Sequence, residues 1–182
     1  MRIKRLPQLL TMLLGFLALS LAMAVPARAE VDVSFQSFNG SLLGGRYPHT
    51  FVIFDGTLAD GTRVDENWGF SAKRSSAAIM SGQAEHIFMH EDADQIRKTN
   101  RHFTVTVSDA KFREMRAEID RWRNSTEKLY SLDNNNCIHF VAKMAQMVGL
   151  KADVPREYVK KPRAWLNYVT RNNPRLGARE IG

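Results

Sequence analysis

The stretch NNCIHFVAKMAQMVG, residues 135–149, predicts a helix that begins at about Cys137 and ends at Val148. Asn136 is a favourable N-cap residue, and Gly149 is the residue type that commonly follows a last helical turn. The apolar residues recur at helical spacing and form one stripe that includes position 137. We expect a strand-rich part of the chain to pack on this helix.

The strand patterns lie mostly before this helix. Four runs of residues alternate between apolar and polar side chains or are rich in β-branched and aromatic residues, and both patterns are typical of strands. They are residues 31–38 (VDVSFQSF), 49–54 (HTFVIF), 63–70 (RVDENWGF) and 102–107 (HFTVTV). Residues 71–100 are harder to place, and residues 75–83 fit either a short helix or a loop.

Two further helices are predicted. Ser108 caps a helix that runs to about Arg123, in which apolar residues recur every three or four positions. Residues 161–170 form a C-terminal helix with Pro162 in its first turn. The chain has no internal repeat, so residues 30–182 are expected to form one α+β domain.

The first 29 residues have the pattern of a signal peptide. A basic start precedes the apolar run Leu9 to Val25, and Ala27-Arg28-Ala29 supplies a small-x-small cleavage site before Glu30. The alternative is an uncleaved anchor, although 17 residues are at the short limit for a bilayer span. We expect cleavage, a periplasmic or secreted protein, and no stable membrane span after processing.

Processing also changes the charge. The full chain of 182 residues has a net charge of +7, but residues 1–29 contain four basic and no acidic residues. The mature chain keeps 22 Lys and Arg against 19 Asp and Glu, a net charge of +3. This balance gives no indication of nucleic-acid binding. The single cysteine excludes a disulfide framework and any zinc site built from several thiolates.

Cys137 is the main candidate for chemistry. In the first turn of a helix, free backbone N–H groups and the helix dipole favour a thiolate, so its pKa is expected below about 8.5. The same N–H groups suit an oxyanion formed at an attacked carbonyl. A buried, inert cysteine on the apolar stripe fits the pattern equally well. The residues alone leave both alternatives open.

A cysteine nucleophile needs a base, usually a histidine. His49 opens a strand after a glycine-rich loop, which places it at a sheet end. His139 follows Cys137 by two positions, so on a helix it points about 200° away. His49 is therefore the better candidate.

The other histidines have different interpretations. His86 and His90 are four residues apart with Glu91 beside them, which is a weak metal-binding pattern without a third well-spaced ligand. A solvated pair is the favoured interpretation. His102 begins a strand and is interpreted as a surface residue.

Three short motifs in order resemble the circularly permuted papain-like group, which includes NlpC-like peptidases and lecithin:retinol acyltransferase-like proteins. They are HTFV at 49–52, WGF at 68–70 and NCIHF at 136–140, within a similar region of roughly residues 45–150. The resemblance implies an antiparallel sheet packed against a Cys-bearing helix. It also implies that Cys137 is the nucleophile and His49 the base.

The same resemblance implies a third polar residue on the next strand, which orients the imidazole. Glu66 and Asn67 are the available candidates, on opposite faces of the strand, and Asp65 is a weaker one. Glu66 is favoured because a carboxylate best stabilises an imidazolium. The hairpin register, which sequence does not define, decides between them.

The resulting hypothesis is an exported cysteine hydrolase, an amidase or peptidase acting on an amide such as cell-wall peptide, or an acyltransferase acting on an ester. It needs no metal or organic cofactor. The main alternative is a non-catalytic envelope or binding protein that retains the fold. A third is a metal-binding protein that uses His86, His90 and neighbouring carboxylates.

Overall fold

The computed structural model describes residues 30–40, 47–73, 82, 84–127 and 130–182. The predicted signal peptide lies outside the described residues, as does nearly all of the segment 75–83. The strands are β1 (Glu30–Phe38), β2 (His49–Thr57), β3 (Arg63–Ala72), β4 (His86–Met89) and β5 (Asn100–Ser108). The α-helices are α1 (Ala93–Ile96), α2 (Asp109–Arg123), α3 (Cys137–Met147) and α4 (Pro162–Asn172).

The strands form one antiparallel sheet in the order β4-β3-β2-β1-β5. Neighbours along the chain from β1 to β4 also pair in space, whereas β5 returns to the other side of β1. The α+β class and the antiparallel sheet are therefore as predicted. The four strands and three helices inferred from sequence are all present, and β4 and α1 are additions within a segment that has no clear pattern.

The hydrophobic core lies on one face of the sheet. Val33 and Phe35 of β1, with Val52 and Phe54 of β2, point to this face, and α2, α3 and α4 cover it. Complete burial of an apolar side chain of this size stabilises the fold by about 1.5–3 kcal/mol. Phe51, which points to the opposite face, is buried outside this core.

The helix ends match the predicted caps. The Ser108 side chain accepts a hydrogen bond from the Lys111 amide at the start of α2. At α3, Asn136 accepts from the Ile138 amide, and Gly149 follows the helix with a φ of 77°, a conformation that favours glycine.

A β-bulge shifts the register between β1 and β5. Phe35 pairs with Phe103, but Gln36 pairs with Arg101, so His102 has no position in the pairing. Its side chain is buried. The interpretation of His102 as a surface residue is wrong, because the bulge redirects a side chain that simple alternation does not account for.

Among the described residues, no helix is long and apolar enough to cross a membrane.

Candidate functional site

The Asn136 side chain caps the start of α3. Its Oδ1 accepts a hydrogen bond from the Ile138 amide at 2.8 Å, and its Nδ2 donates to the carbonyls of Leu132 and Val159 at 2.7 and 2.8 Å. One side chain thus joins the helix start, the preceding turn and a distant loop. This network holds Cys137 as the first residue of the helix, as the sequence predicts.

His139 completes the same cap. Its Nδ1 accepts the backbone N–H of Asn136 at 3.2 Å, so this nitrogen is occupied at the helix start. Burial lowers the pKa of His139, which favours the neutral ring that this hydrogen bond requires. The structure therefore gives His139 a capping role, in agreement with its exclusion as the base for Cys137.

The Cys137 thiol is buried, with 5% of the residue exposed. Burial raises its pKa to about 11, although hydrogen bonds from the backbone amides of Thr50, Ile138 and Cys137 lower it. The expectation of a pKa below about 8.5 is wrong, because desolvation of the charged sulfur outweighs the helix N-terminus. The thiol is protonated at neutral pH.

The hydrogen bond from Thr50 that lowers the pKa of Cys137 indicates which strand the thiol approaches. Thr50 is the second residue of β2, so the sulfur of Cys137 is held against the beginning of that strand. His49 is the adjoining residue. The structure therefore brings the residue that carries the thiol to the strand end that carries the candidate base, although 88 positions separate Cys137 and His49.

The His49 ring lies on the sheet face of Phe51 and Gly69. Its plane is within 12° of the Phe51 ring at a centroid distance of 6.4 Å, and its Nε2 is buried. A Cβ placed on Gly69 would be only 2.5 Å from that Nε2. Because α3 packs on the opposite face, Cys137 and His49 approach the start of β2 from its two sides.

Glu66, the favoured third residue, is engaged elsewhere. Its Oε1 lies 2.9 Å from the Nε of Arg116 on α2, and both side chains are about one quarter exposed. Burial raises the pKa of Glu66, while Arg116 lowers it. Glu66 pairs with Phe54, five residues from His49 along β2 and thus roughly 16 Å away. The register gives no support to an orienting role for Glu66.

The alternatives to Glu66 are also used in other contacts. Asn67 makes two hydrogen bonds with the backbone of Glu91, at 2.9 and 2.7 Å, and fixes the segment after β4. It pairs with Ile53, roughly 13 Å from His49 along the strand. Asp65 pairs with Asp55, two positions farther along β2 than Ile53. The register therefore separates all three candidates from the imidazole.

Tyr130 is a further neighbour of Cys137. Tyr130 is buried, and desolvation is the main reason that its pKa is raised. The negative charge of a Cys137 thiolate raises this pKa further. Its ring packs on Phe70 at 5.6 Å. No sequence signal distinguishes this tyrosine, because its proximity to the thiol arises from a bridge between Ala84 and Tyr130 across the fold.

Ser37 and His102 form a buried polar pair near the start of β2. Ser37 pairs with Thr50 in the β1–β2 register, and its Oγ is 2.8 Å from the Nε2 of His102. Burial lowers the pKa of His102 to about 4, so its ring is neutral at neutral pH. Both side chains are almost completely buried, so the pair can fix the strand ends but is closed to a substrate.

His86 and His90 contact aromatic rings and the backbone. Nδ1 of His90 donates to the Asn67 carbonyl at 2.6 Å, and Nε2 of His86 donates to the Arg123 carbonyl at 3.3 Å. Within the ranges that the structure describes, no three His, Cys, Asp or Glu side chains are grouped as metal ligands. The geometry offers no support for the metal-binding alternative.

The chain matches no protein-family model, no curated protein and no solved structure. The resemblance to the permuted papain-like group therefore remains a prediction from the three motifs.

Proposed function

We propose that the chain is an exported cysteine hydrolase or acyltransferase of the permuted papain-like type, acting through Cys137 and His49. The observation that supports this most directly is the hydrogen bond from the Thr50 amide to the Cys137 sulfur. This interaction supports the proposal because Thr50 adjoins His49 in the chain.

In the proposed reaction the side chains of Cys137 and His49, which flank β2 on its two faces, meet around the start of the strand, and the Cys137 proton passes to a ring nitrogen of His49. The sulfur then bonds to the carbonyl carbon of an amide or ester, and the carbonyl electrons move to oxygen. The oxyanion returns its electrons, the bond to nitrogen or oxygen breaks, and the leaving group takes the proton from His49. Water or another acceptor then attacks the thioester and loses its proton to His49, and the bond to sulfur breaks as Cys137 takes that proton back from His49.

The raised pKa of Cys137 bears on when the proton leaves the thiol in the proposed reaction. Because the thiol is protonated in the free protein, no standing thiolate–imidazolium pair is required before substrate arrives. Proton transfer accompanies attack, in the manner of a general base. The amide of Thr50 would offset part of the cost of the charged sulfur.

The proposed substrate class follows from the predicted export. A cleaved signal peptide delivers residues 30–182 to the periplasm or exterior, where cell-wall peptide is the most abundant amide available to a bacterial enzyme. A lipid ester is the second choice. Neither requires a cofactor in the proposed reaction.

The test uses p-nitrophenyl acetate, an activated ester that reports on the nucleophile without knowledge of the substrate. We expect release of p-nitrophenol and an acetyl group on Cys137, detected by intact mass and peptide mapping. Hydroxylamine should remove that group, because it cleaves thioesters. Cys137→Ser should lose the labile adduct.

The role of His49 is tested in the same assay. His49→Gln should slow acetylation by about 10²–10⁴-fold, the usual contribution of a general base. His90→Gln is the matched control, since that histidine is exposed on the other side of β3. Acetylation of the native protein only at lysines, with Cys137 unmodified, would contradict the proposal.

A second candidate function is a non-catalytic envelope or binding protein. The burial of Cys137 is the specific observation in its favour, because a thiol that is 5% exposed meets no substrate without local opening. This candidate predicts that Cys137 is acetylated only after the protein is unfolded.

A further inference from the structure

We infer that Gly69 is a positioning residue, whose lack of a side chain sets the place of the His49 imidazole. This inference rests on the proposed function, in which the ring must accept the Cys137 proton. Gly69 belongs to β3 and carries no group that takes part in the proposed reaction.

The first argument is steric. A Cβ built on Gly69 would lie 2.5 Å from Nε2 and 3.4 Å from Cδ2 of His49. Carbon and nitrogen atoms that are not bonded do not approach to 2.5 Å, since the contact distance is about 3.5 Å. Any residue other than glycine at this position therefore forces the imidazole out of its place.

The second argument concerns the direction in which the ring would move. The same Cβ would be 3.3 Å from the Cβ of Phe51, which belongs to the backbone framework of β2 and cannot yield easily. The imidazole is the far end of a side chain with two rotatable bonds. An alanine at position 69 is thus accommodated by rotation of His49 rather than by separation of the strands.

The third argument is the position of Gly69 in the sheet. The β2–β3 pairing extends to Val52 and Trp68, and Gly69 is the next residue of β3, where it pairs with Met89 of β4. The backbone of Gly69 therefore lies beside the start of β2, where the Thr50 amide holds the sulfur of Cys137. Because Gly69 has no side chain, there is room for the His49 imidazole at the start of β2.

The direct readout is the imidazole itself. In the full-length wild-type protein with ¹³C-labelled histidine, we expect a nuclear Overhauser contact between a Gly69 Hα and a ring proton of His49. The His49→Gln variant identifies the ring signals. In Gly69→Ala we expect these signals to shift, while those of the other histidines remain. Gly82→Ala is the matched control, because a Cβ there meets nothing within 4 Å.

The functional readout is acetylation of Cys137 by p-nitrophenyl acetate as a function of pH. Gly69→Ala should slow it by about tenfold or more and move the pH dependence, since a misplacement of about 1 Å can cost about 100-fold. Gly82→Ala should behave as wild type. The melting temperatures of both variants, compared with wild type, separate ring displacement from loss of fold.

The outcomes distinguish the inference from the proposed function. If the wild-type protein lacks the Gly69–His49 contact, or Gly69→Ala leaves the ring signals unchanged, the inference is overturned whatever the activity. If the ring moves and His49→Gln slows acetylation but Gly69→Ala does not, the inference is overturned and the proposed function stands. If neither variant slows acetylation, the proposed function fails, and the positioning role fails with it.

Discussion

The buried imidazole of His102 should make the stability of the fold depend on pH. The ring is 4% exposed, lies at the β1–β5 bulge, and has its Nε2 2.8 Å from the Oγ of Ser37. Burial lowers its pKa from 6.5 to about 4, a hydrogen bond with the Asn167 side chain raises it, and the charge of Arg163 lowers it. The folded protein thus holds this ring neutral over a range in which the unfolded chain protonates it.

The size of the effect follows from proton linkage. Between pH 6.5 and about 4 the unfolded chain binds a proton at His102 that the folded chain does not, so acid favours unfolding in this range. At about 1.4 kcal/mol for each pH unit, the contribution to the free energy of unfolding falls by about 3 kcal/mol. It is fully present above pH 6.5, and below about pH 4 this residue causes no further loss.

The assay is urea unfolding, followed by tryptophan fluorescence, at several pH values from about 7 to about 4. His102→Gln is the test variant, because an amide keeps a hydrogen-bonding partner for Ser37 but does not titrate. We expect wild type to be more stable than the variant at pH 7, and this difference to shrink by about 3 kcal/mol at pH 4. Carboxylates that titrate in this range are common to both proteins and cancel.

His90→Gln serves as the control and should retain the wild-type pH dependence, because His90 is exposed. If the free energies of unfolding of wild type and His102→Gln fall in parallel across the whole range, the reasoning is refuted. The ring would then be protonated in the folded state or accessible to water.

Three other predictions concern the thiol, the ion pair on α2 and the cap of α3. Alkylation of native Cys137 by iodoacetamide should be slow at pH 7 and still rising above pH 9, because burial raises the thiol pKa to about 11; rapid labelling at pH 6 would contradict this. Arg116→Met should lower the free energy of unfolding by about 1–3 kcal/mol, since it leaves the Glu66 carboxylate half-buried without its cation, and the double variant with Glu66→Gln should recover part of the loss. Asn136→Ala should cost about 1–3 kcal/mol in chemical denaturation, because three hydrogen bonds are lost; an unchanged denaturation midpoint would argue against the capping network.

The local elements of this fold could be predicted from the sequence because their signals are local. Alternation in residues 31–38 specifies a strand, and Ser108 and Asn136 mark helix starts through side-chain hydrogen bonds to nearby amides. The segment between β3 and β5 gave no such signal. Its four-residue strand β4 is held by pairing with β3, which no local pattern encodes.

In the candidate site, too, some features follow from short motifs and others depend on how the strands pair. The helical position of Cys137 and the strand-end position of His49 follow from short motifs, and both were assigned from sequence. Glu66 was favoured as the third residue, but that choice depends on hairpin register, which the sequence does not define. The observed register pairs Glu66 and Asn67 with Phe54 and Ile53, far along β2 from His49.

Local patterns in the chain specify which segments become strands and helices, and that one cysteine begins a helix. The thiol pKa, the burial of His102 and the partner of Glu66 depend on contacts between distant segments. The physical reason is that periodicity and capping act over a few neighbouring residues, whereas desolvation and pairing depend on what distant segments place nearby. The helix N-terminus that favours a thiolate at Cys137 is encoded in six residues, and the burial that outweighs it is contributed by the whole sheet.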